Sequence, residues 1–229
     1  MALHILHAFE DSLNQLKQDV MKMASLAQQN VTNAVRGLVE RSTDICNGVI
    51  AEDNEVDQLE KIIDRDGLEI IMKFSPVASD LRRVLVAMKI GQQLERVSDE
   101  GVTVARRARK LNAYAPLAET QFIKGVYDLA IAMVRDAVAA FNLSDLKTAL
   151  GIEARDEALD QMYAEAVRRM TRRSEEDISH IEEYVELMFV VRALERVGDH
   201  AVNIAEDVVY AETAHDIRHG GERPQIGAS

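Results

Sequence analysis

The sequence predicts an all-α protein of two tandem, pseudo-symmetric three-helix bundles with six long helices, and three observations carry that prediction. First, only three prolines and eleven glycines interrupt 229 residues rich in Ala, Leu, Val, Glu, Asp, Lys and Arg, a composition that favours helix. Second, the apolar positions recur in steps of three and four, the period of a helix with one buried face. Third, the chain repeats itself: Leu94-Glu95-Arg96-Val97-Ser98-Asp99-Glu100-Gly101 returns as Leu194-Glu195-Arg196-Val197-Gly198-Asp199-His200-Ala201.

The first helix is read from the seam Leu6, Phe9, Leu13, Leu16, Val20, Met23, Ala27, Val31, Val35 and Leu38, with Asn30 marking a slip in the heptad. Ser42, Thr43 and Asp44 supply turn and cap chemistry, so a second helix is expected from about Ile45 to Phe74. Ser75-Pro76 is the clearest boundary, with Ser75 suited to the cap and Pro76 to the first helical position of a third helix ending near Leu111. The plan restarts after Asn112 to Pro116. A fourth helix runs to about Asn142, Ser144 is expected to cap the fifth, and the polar stretch Ser174 to Ser179 precedes the sixth. Ser174 with Asp177 and Ser179 with Glu182 compete as its capping box, and repeat matching to Ser79 favours Ser179. The sixth helix then ends between Ala211 and His215.

The front of each repeat matches at an offset of 103 and the back at 100, so the second copy is three residues shorter between its second and third helices. This gives a first bundle over residues 1–113, a second over 114–216, and a tail over 217–229 expected to be disordered because of its glycines, proline and few apolar residues.

The bulk numbers narrow the function classes. A net charge of -12 argues against nucleic acid as partner, and 47% hydrophobic content gives each bundle a core. Cys46 is the only cysteine, which excludes an internal disulfide and a thiolate-rich metal site. Neither a secretory leader nor a window of roughly 18–20 apolar residues is visible, so the chain is expected to be cytoplasmic, without direct membrane insertion.

The chemistry concentrates in acids four residues apart, which on a helix share one face. Glu95 and Asp99 recur as Glu195 and Asp199 on the third helix of each repeat, and Asp53 and Asp57 recur as Asp156 and Asp160 on the second. In an antiparallel hairpin, residues equidistant from the turn lie at equal height. The pair centres 55 and 97 have their midpoint at 76, the position of Pro76, and 158 with 197 meet near 177. An error of two residues shifts the height by only ~3 Å. Four carboxylates converge in each bundle if their faces also agree. Such a set suits Mg²⁺, Mn²⁺, Ca²⁺ or iron and can take Zn²⁺, and a cation relieves the cost of holding like charges together.

Other residues read more blandly. Glu60 and Asp64 are not repeated, Tyr163 and Val167 standing in their places, and are taken as surface charges. Arg96 and Arg196 either pair with a nearby acid, orient the cluster or bind an anion, and His200, whose counterpart is Glu100, is taken as a surface residue. Glu-x-x-His pairs, phosphate loops and nucleophile motifs are absent.

Two three-helix units, each with Asp-x-x-x-Asp on the second helix and Leu-Glu-Arg-Val-(Ser/Gly)-Asp on the third, resemble the PhoU family of phosphate-transport accessory proteins. Ala78-Ser79-Asp80-Leu81-Arg82, Asp199 to Glu206 and Asp216 to Gly221 add to the likeness, which spans about residues 3–221. The resemblance implies a non-enzymatic, often dimeric cytoplasmic regulator that represses the phosphate-starvation response. It also implies metal ions (iron, zinc, manganese or magnesium) at the eight acids named. Its implied partners are the ATP-binding subunit of the phosphate transporter and a phosphate-sensing histidine kinase, linked through a homodimer. A carboxylate-bridged metal enzyme or metal store is the alternative reading of the same acids.

Overall fold

The computed structural model describes residues 2–218, with side chains from residue 6. Six long helices and one short one follow the predicted order: α1 (Ala2–Val39), α2 (Thr43–Phe74), α3 (Ala78–Leu111), α4 (Gln121–Leu143), α5 (Leu146–Gly151), α6 (Glu153–Glu176) and α7 (Ile181–Thr213). Among the described residues there are no strands. Helices α1, α2 and α3 pack into one bundle, and α4, α6 and α7 into the other.

The bundles share a seam in which α3 lies antiparallel against α7. Glu100 meets Arg196, Gln93 meets His200 and Asn203, Lys89 meets Asp207, and Arg107 meets Glu186. Numbers rise on one helix as they fall on the other, so a pseudo-twofold axis relates the repeats. The Lys89–Asp207 ion pair at 3.0 Å has its twofold counterpart in Arg107 stacked 4.2 Å from the Phe189 ring.

The predicted apolar seam of α1 is core from Phe9 onward, though Leu13 is half-buried and Leu6 exposed. The repeated leucines and valines Leu94, Val97, Leu194 and Val197 are fully buried in the core. Cys46 is a buried free thiol. At Gly101 the backbones close in: a β-carbon there would stand 3.1 Å from the Val31 amide nitrogen, so α1 and α3 touch at the level of the repeat motif.

The helix ends correct the cap assignments. Ser42 caps α2 as expected, its hydroxyl accepting from the Ile45 amide at 3.4 Å. Ser75 instead closes α2 in the left-handed region at φ 48°, donating its N–H to Ile71, and Val77 occupies the cap of α3. The reason is Pro76, which bars its predecessor from the right-handed helix. Ser144 likewise ends α4 at φ 53°, and Asp145 caps α5 by accepting from the Thr148 amide. Asp177, not Ser179, is the cap at the last start, accepting from the Ser179 amide, and a 3₁₀ turn at Ile178–His180 precedes α7. An acid outcompetes the serine because its carboxylate is the stronger acceptor at an N-terminus.

Two features went unforeseen: the break at Gly151–Ile152, which divides the fifth predicted helix into α5 and α6, and a 3₁₀ turn at Ala118–Thr120 before α4. Of the expected disordered tail, Ile217 packs against the core and Arg218 pairs with Asp216, while residues 219–229 lie outside the described residues.

The equal burial of the repeated leucines in the two copies can be tested by truncation. Leu94→Ala and Leu194→Ala are each expected to cost about 2–5 kcal/mol in urea unfolding, whereas exposed Leu143→Ala stays within about 0.5 kcal/mol.

Candidate functional site

The structure brings the predicted acids of each hairpin together. In the first, the Ser98 hydroxyl donates to Asp53 Oδ1 at 2.7 Å, which fixes α2 against α3 at the height given by counting from Pro76. Ser98 in turn accepts from Asn30 Nδ2 at 2.8 Å, both side chains being buried. The heptad slip at Asn30 is therefore the start of a polar relay that ends on a site carboxylate, a connection the sequence reading missed.

Charge coupling reports the same convergence. Burial pushes the Asp53 carboxyl up, the Ser98 hydrogen bond opposes it, and Asp57 and Asp99 add to the rise. Glu95 is raised to about 7, first by desolvation and then by Asp99, with Arg96 opposing and Glu60 and Asp57 contributing further. In the second hairpin Asp156 is raised to about 6 by burial and then by Asp160, Asp199 and Glu153. Glu195 and Asp199 shift the same way, burial again leading, followed by Asp199 for the first and Asp160 for the second. Asp99 is more open than Glu95, Asp160 and Asp199 are exposed, and Glu195 is the most deeply buried of the eight.

Three surface assignments need correction. Glu60 is half-buried and repels Glu95, so it belongs to the first acidic cluster; by the hairpin count it lies level with residue 92, within one turn of Glu95. Asp64 is half-buried too, with Oδ1 enclosed and without a hydrogen-bond partner. His200 faces the other bundle, not solvent: its Nδ1 lies 2.9 Å from Gln93 Oε1 and its Nε2 is buried and unpartnered. Burial, followed by Arg196 and Arg96, lowers its pKa to about 4, so the ring is neutral at ordinary pH.

The arginines resolve differently in the two copies. Arg96 turns back on its own helix, 3.2 Å from Glu95 and 3.5 Å from Asp99. Arg196 crosses the seam to Glu100 at 2.8 Å. Arg192, absent from the sequence-level site, stands 3.6 Å from Glu195 Oε2 and reaches the Tyr163 hydroxyl, which occupies the place of Glu60.

Among the described residues no group of three or more His, Cys, Asp or Glu side chains is gathered tightly enough to hold a metal ion as it stands. The donor set nevertheless fits a hard cation. Asp156 Oδ1 is enclosed without a hydrogen-bond partner, and Glu195 Oε2, also without one, has only the 3.6 Å ion pair to Arg192; a buried carboxylate oxygen so placed is expensive unless a positive charge completes it. All candidate ligands are carboxylates, the chemistry that Mg²⁺, Mn²⁺, Ca²⁺ and iron prefer.

A family model described as the PhoU domain matches residues 20–108 and again 123–208, once per bundle. The phosphate-specific transport system accessory protein PhoU homologue of Pseudomonas putida is 33% identical over 220 residues, 95% of this chain and 86% of that protein. The Caulobacter vibrioides (strain NA1000 / CB15N) homologue of the same description is 30% identical over 99% of this chain and 98% of its own. The crystal structure of PhoU from Pseudomonas aeruginosa superimposes with a TM-score of 0.85 at 31% identity, covering 89% of this chain and 98% of that one.

Raised carboxyls predict an inverted pH profile. Glu95 keeps its proton up to about 7 in the folded chain against the ordinary 4.5, so the folded state binds more protons over that window and stability falls as pH rises through it. Metal-free protein should therefore melt lower at about pH 7.5 than at about pH 5, and Glu95→Gln should flatten the fall. A melting temperature that rises across this range and ignores the substitution would refute the assignment.

Proposed function

The chain belongs to the PhoU family, and on that premise we propose that it is a cytoplasmic regulator that keeps the phosphate-starvation response off when phosphate is plentiful. The observation that carries the reading is the family match in both bundles, supported by relatives whose own names make them accessory proteins of the phosphate-specific transport system. In this reading the protein is a non-enzymatic adaptor. It links the ATP-binding subunit of the transporter to a phosphate-sensing histidine kinase and works as a homodimer. No helix among the described residues is long and apolar enough to cross a membrane, in keeping with a partner that docks on membrane proteins from one side.

The acidic hairpins would serve as metal sites, Asp53, Asp57, Glu95 and Asp99 in the first bundle and Asp156, Asp160, Glu195 and Asp199 in the second. Iron, zinc, manganese and magnesium are the candidate ions, and a bound cation would neutralise the acids and tie the two helices of each hairpin together. The chain's own contribution is to hold the acids half-desolvated at one height, where their mutual repulsion loosens the hairpin until it is compensated. Metal loading would then set the rigidity of the surface shown to the partners.

Deleting the gene should switch on alkaline phosphatase in high phosphate, and continued repression would end the regulatory reading. Elemental analysis tests the sites separately. The purified protein should carry stoichiometric metal, and Glu95→Ala and Asp199→Ala should each lower it. Equal metal content in all three proteins would remove the acids from the site.

A further inference from the structure

We propose that the two acidic hairpins are unequal, that the second takes a divalent cation first, and that Asn30, Ser98, Glu100 and His200 are the positioning residues that set the order. The inference rests on the metal reading above and adds to it which site fills and why.

The first hairpin is largely satisfied from within. Asn30 and Ser98 deliver a hydrogen bond to Asp53, and Arg96 places its guanidinium against Glu95 and Asp99. A cation entering there must compete with a bound donor and a resident positive charge. In the second hairpin Gly198 replaces Ser98 and Met133 replaces Asn30. Leu159 Cδ2 fills the space a side chain at 198 would need, with Met133 Cε close behind it. Among the described residues no hydroxyl reaches Asp156, whose Oδ1 is enclosed without a hydrogen-bond partner, while Oε2 of the largely buried Glu195 has no hydrogen bond and meets only Arg192. The only cation within 4 Å of that cluster among the described ion pairs is Arg192, 3.6 Å from Glu195 and shared with Tyr163.

The pseudo-twofold seam explains the arginines. Residue 100 lies opposite 196, and by symmetry 200 lies opposite 96. Glu100 is buried and holds the Arg196 guanidinium in a 2.8 Å ion pair, so Arg196 acts on Asp199 through its field and not through an ion pair of its own. At the symmetric position His200 is an imidazole already held by Gln93, and it offers Arg96 no carboxylate. Arg96 therefore folds back onto its own acids. One exchange, Glu100 for His200, thus spends one arginine on the seam and leaves the other inside the first site.

Chelator-stripped full-length protein titrated with Mn²⁺, with free Mn²⁺ followed by electron paramagnetic resonance, separates the sites. Two classes are expected, with Kd values about tenfold or more apart, the worth of one charge-assisted contact. Asp156→Asn should abolish the tighter class and Asp53→Asn the weaker. Glu100→Gln should release Arg196 and weaken the tight site, whereas His200→Glu should draw Arg96 across and tighten the weak one. Circular dichroism confirms that each variant is folded. Equal affinities, loss of the tight class in Asp53→Asn, or tight and weak classes that both ignore Glu100→Gln and His200→Glu would overturn the inference. Absence of Mn²⁺ binding at both hairpins of the wild type would instead overturn the metal reading itself.

Discussion

The antiparallel packing of α3 on α7 governs both the core and the charge balance of the molecule. These two helices carry the repeated Leu-Glu-Arg-Val motif, so one turn supplies buried Leu and Val to the shared interior and turns its acid outward to the hairpin. The core residues cannot move without moving the carboxylates. Every polar side chain on the seam side then has to find a partner in the other bundle, because burial without one costs about 1–3 kcal/mol. Glu100 with Arg196, Lys89 with Asp207 and Gln93 with His200 and Asn203 are those partners.

Acids on the opposite side of the same helices meet a different limit. The hairpins α2–α3 and α6–α7 hold carboxylates at one height, half-desolvated, where burial and like charge both favour the protonated form. Such an arrangement lowers the stability of the isolated chain near neutral pH, a cost that packing alone does not require. The strain makes hairpin rigidity responsive to whatever compensates the charge.

Much of this was legible in the sequence because it depends on distances along one chain. A fixed rise per residue converts the spacing from Pro76 into height, which sets Asp53 and Asp57 level with Glu95 and Asp99, the turn from which Ser98 reaches Asp53. The apolar steps of three and four likewise identify the buried face whatever it packs against. What failed was local competition and partner choice. Ser75 and Ser144 read as caps of the helices ahead, yet each ends the helix behind in a left-handed turn, since neighbouring Pro76 and Asp145 supply stronger preferences. His200 read as surface because nothing in its own helix reveals that the other bundle covers it. Glu60 was discarded for lack of a repeated copy, although its height alone placed it beside Glu95.

Duplication explains why the differences between the copies carry more information than the matches. Identical repeats across a twofold seam would put Glu100 opposite Arg196 and a glutamate at 200 opposite Arg96, withdrawing both arginines from both hairpins. A histidine at 200 breaks the symmetry at one of the two crossings only. Its consequence appears at Glu95 and Asp99, where Arg96 now rests. The Ser98 to Gly198 change acts on the same hairpins from the core side, and the two changes have the same sign. Each adds a donor or a positive charge to the first acidic cluster, while the second has its own cation in Arg192, which stands where the first copy has Gln92. The two clusters therefore differ in how their acids are compensated: a core-side hydroxyl and a returning arginine in the first, and Arg192 beside Glu195, with Asp156 left without a donor, in the second.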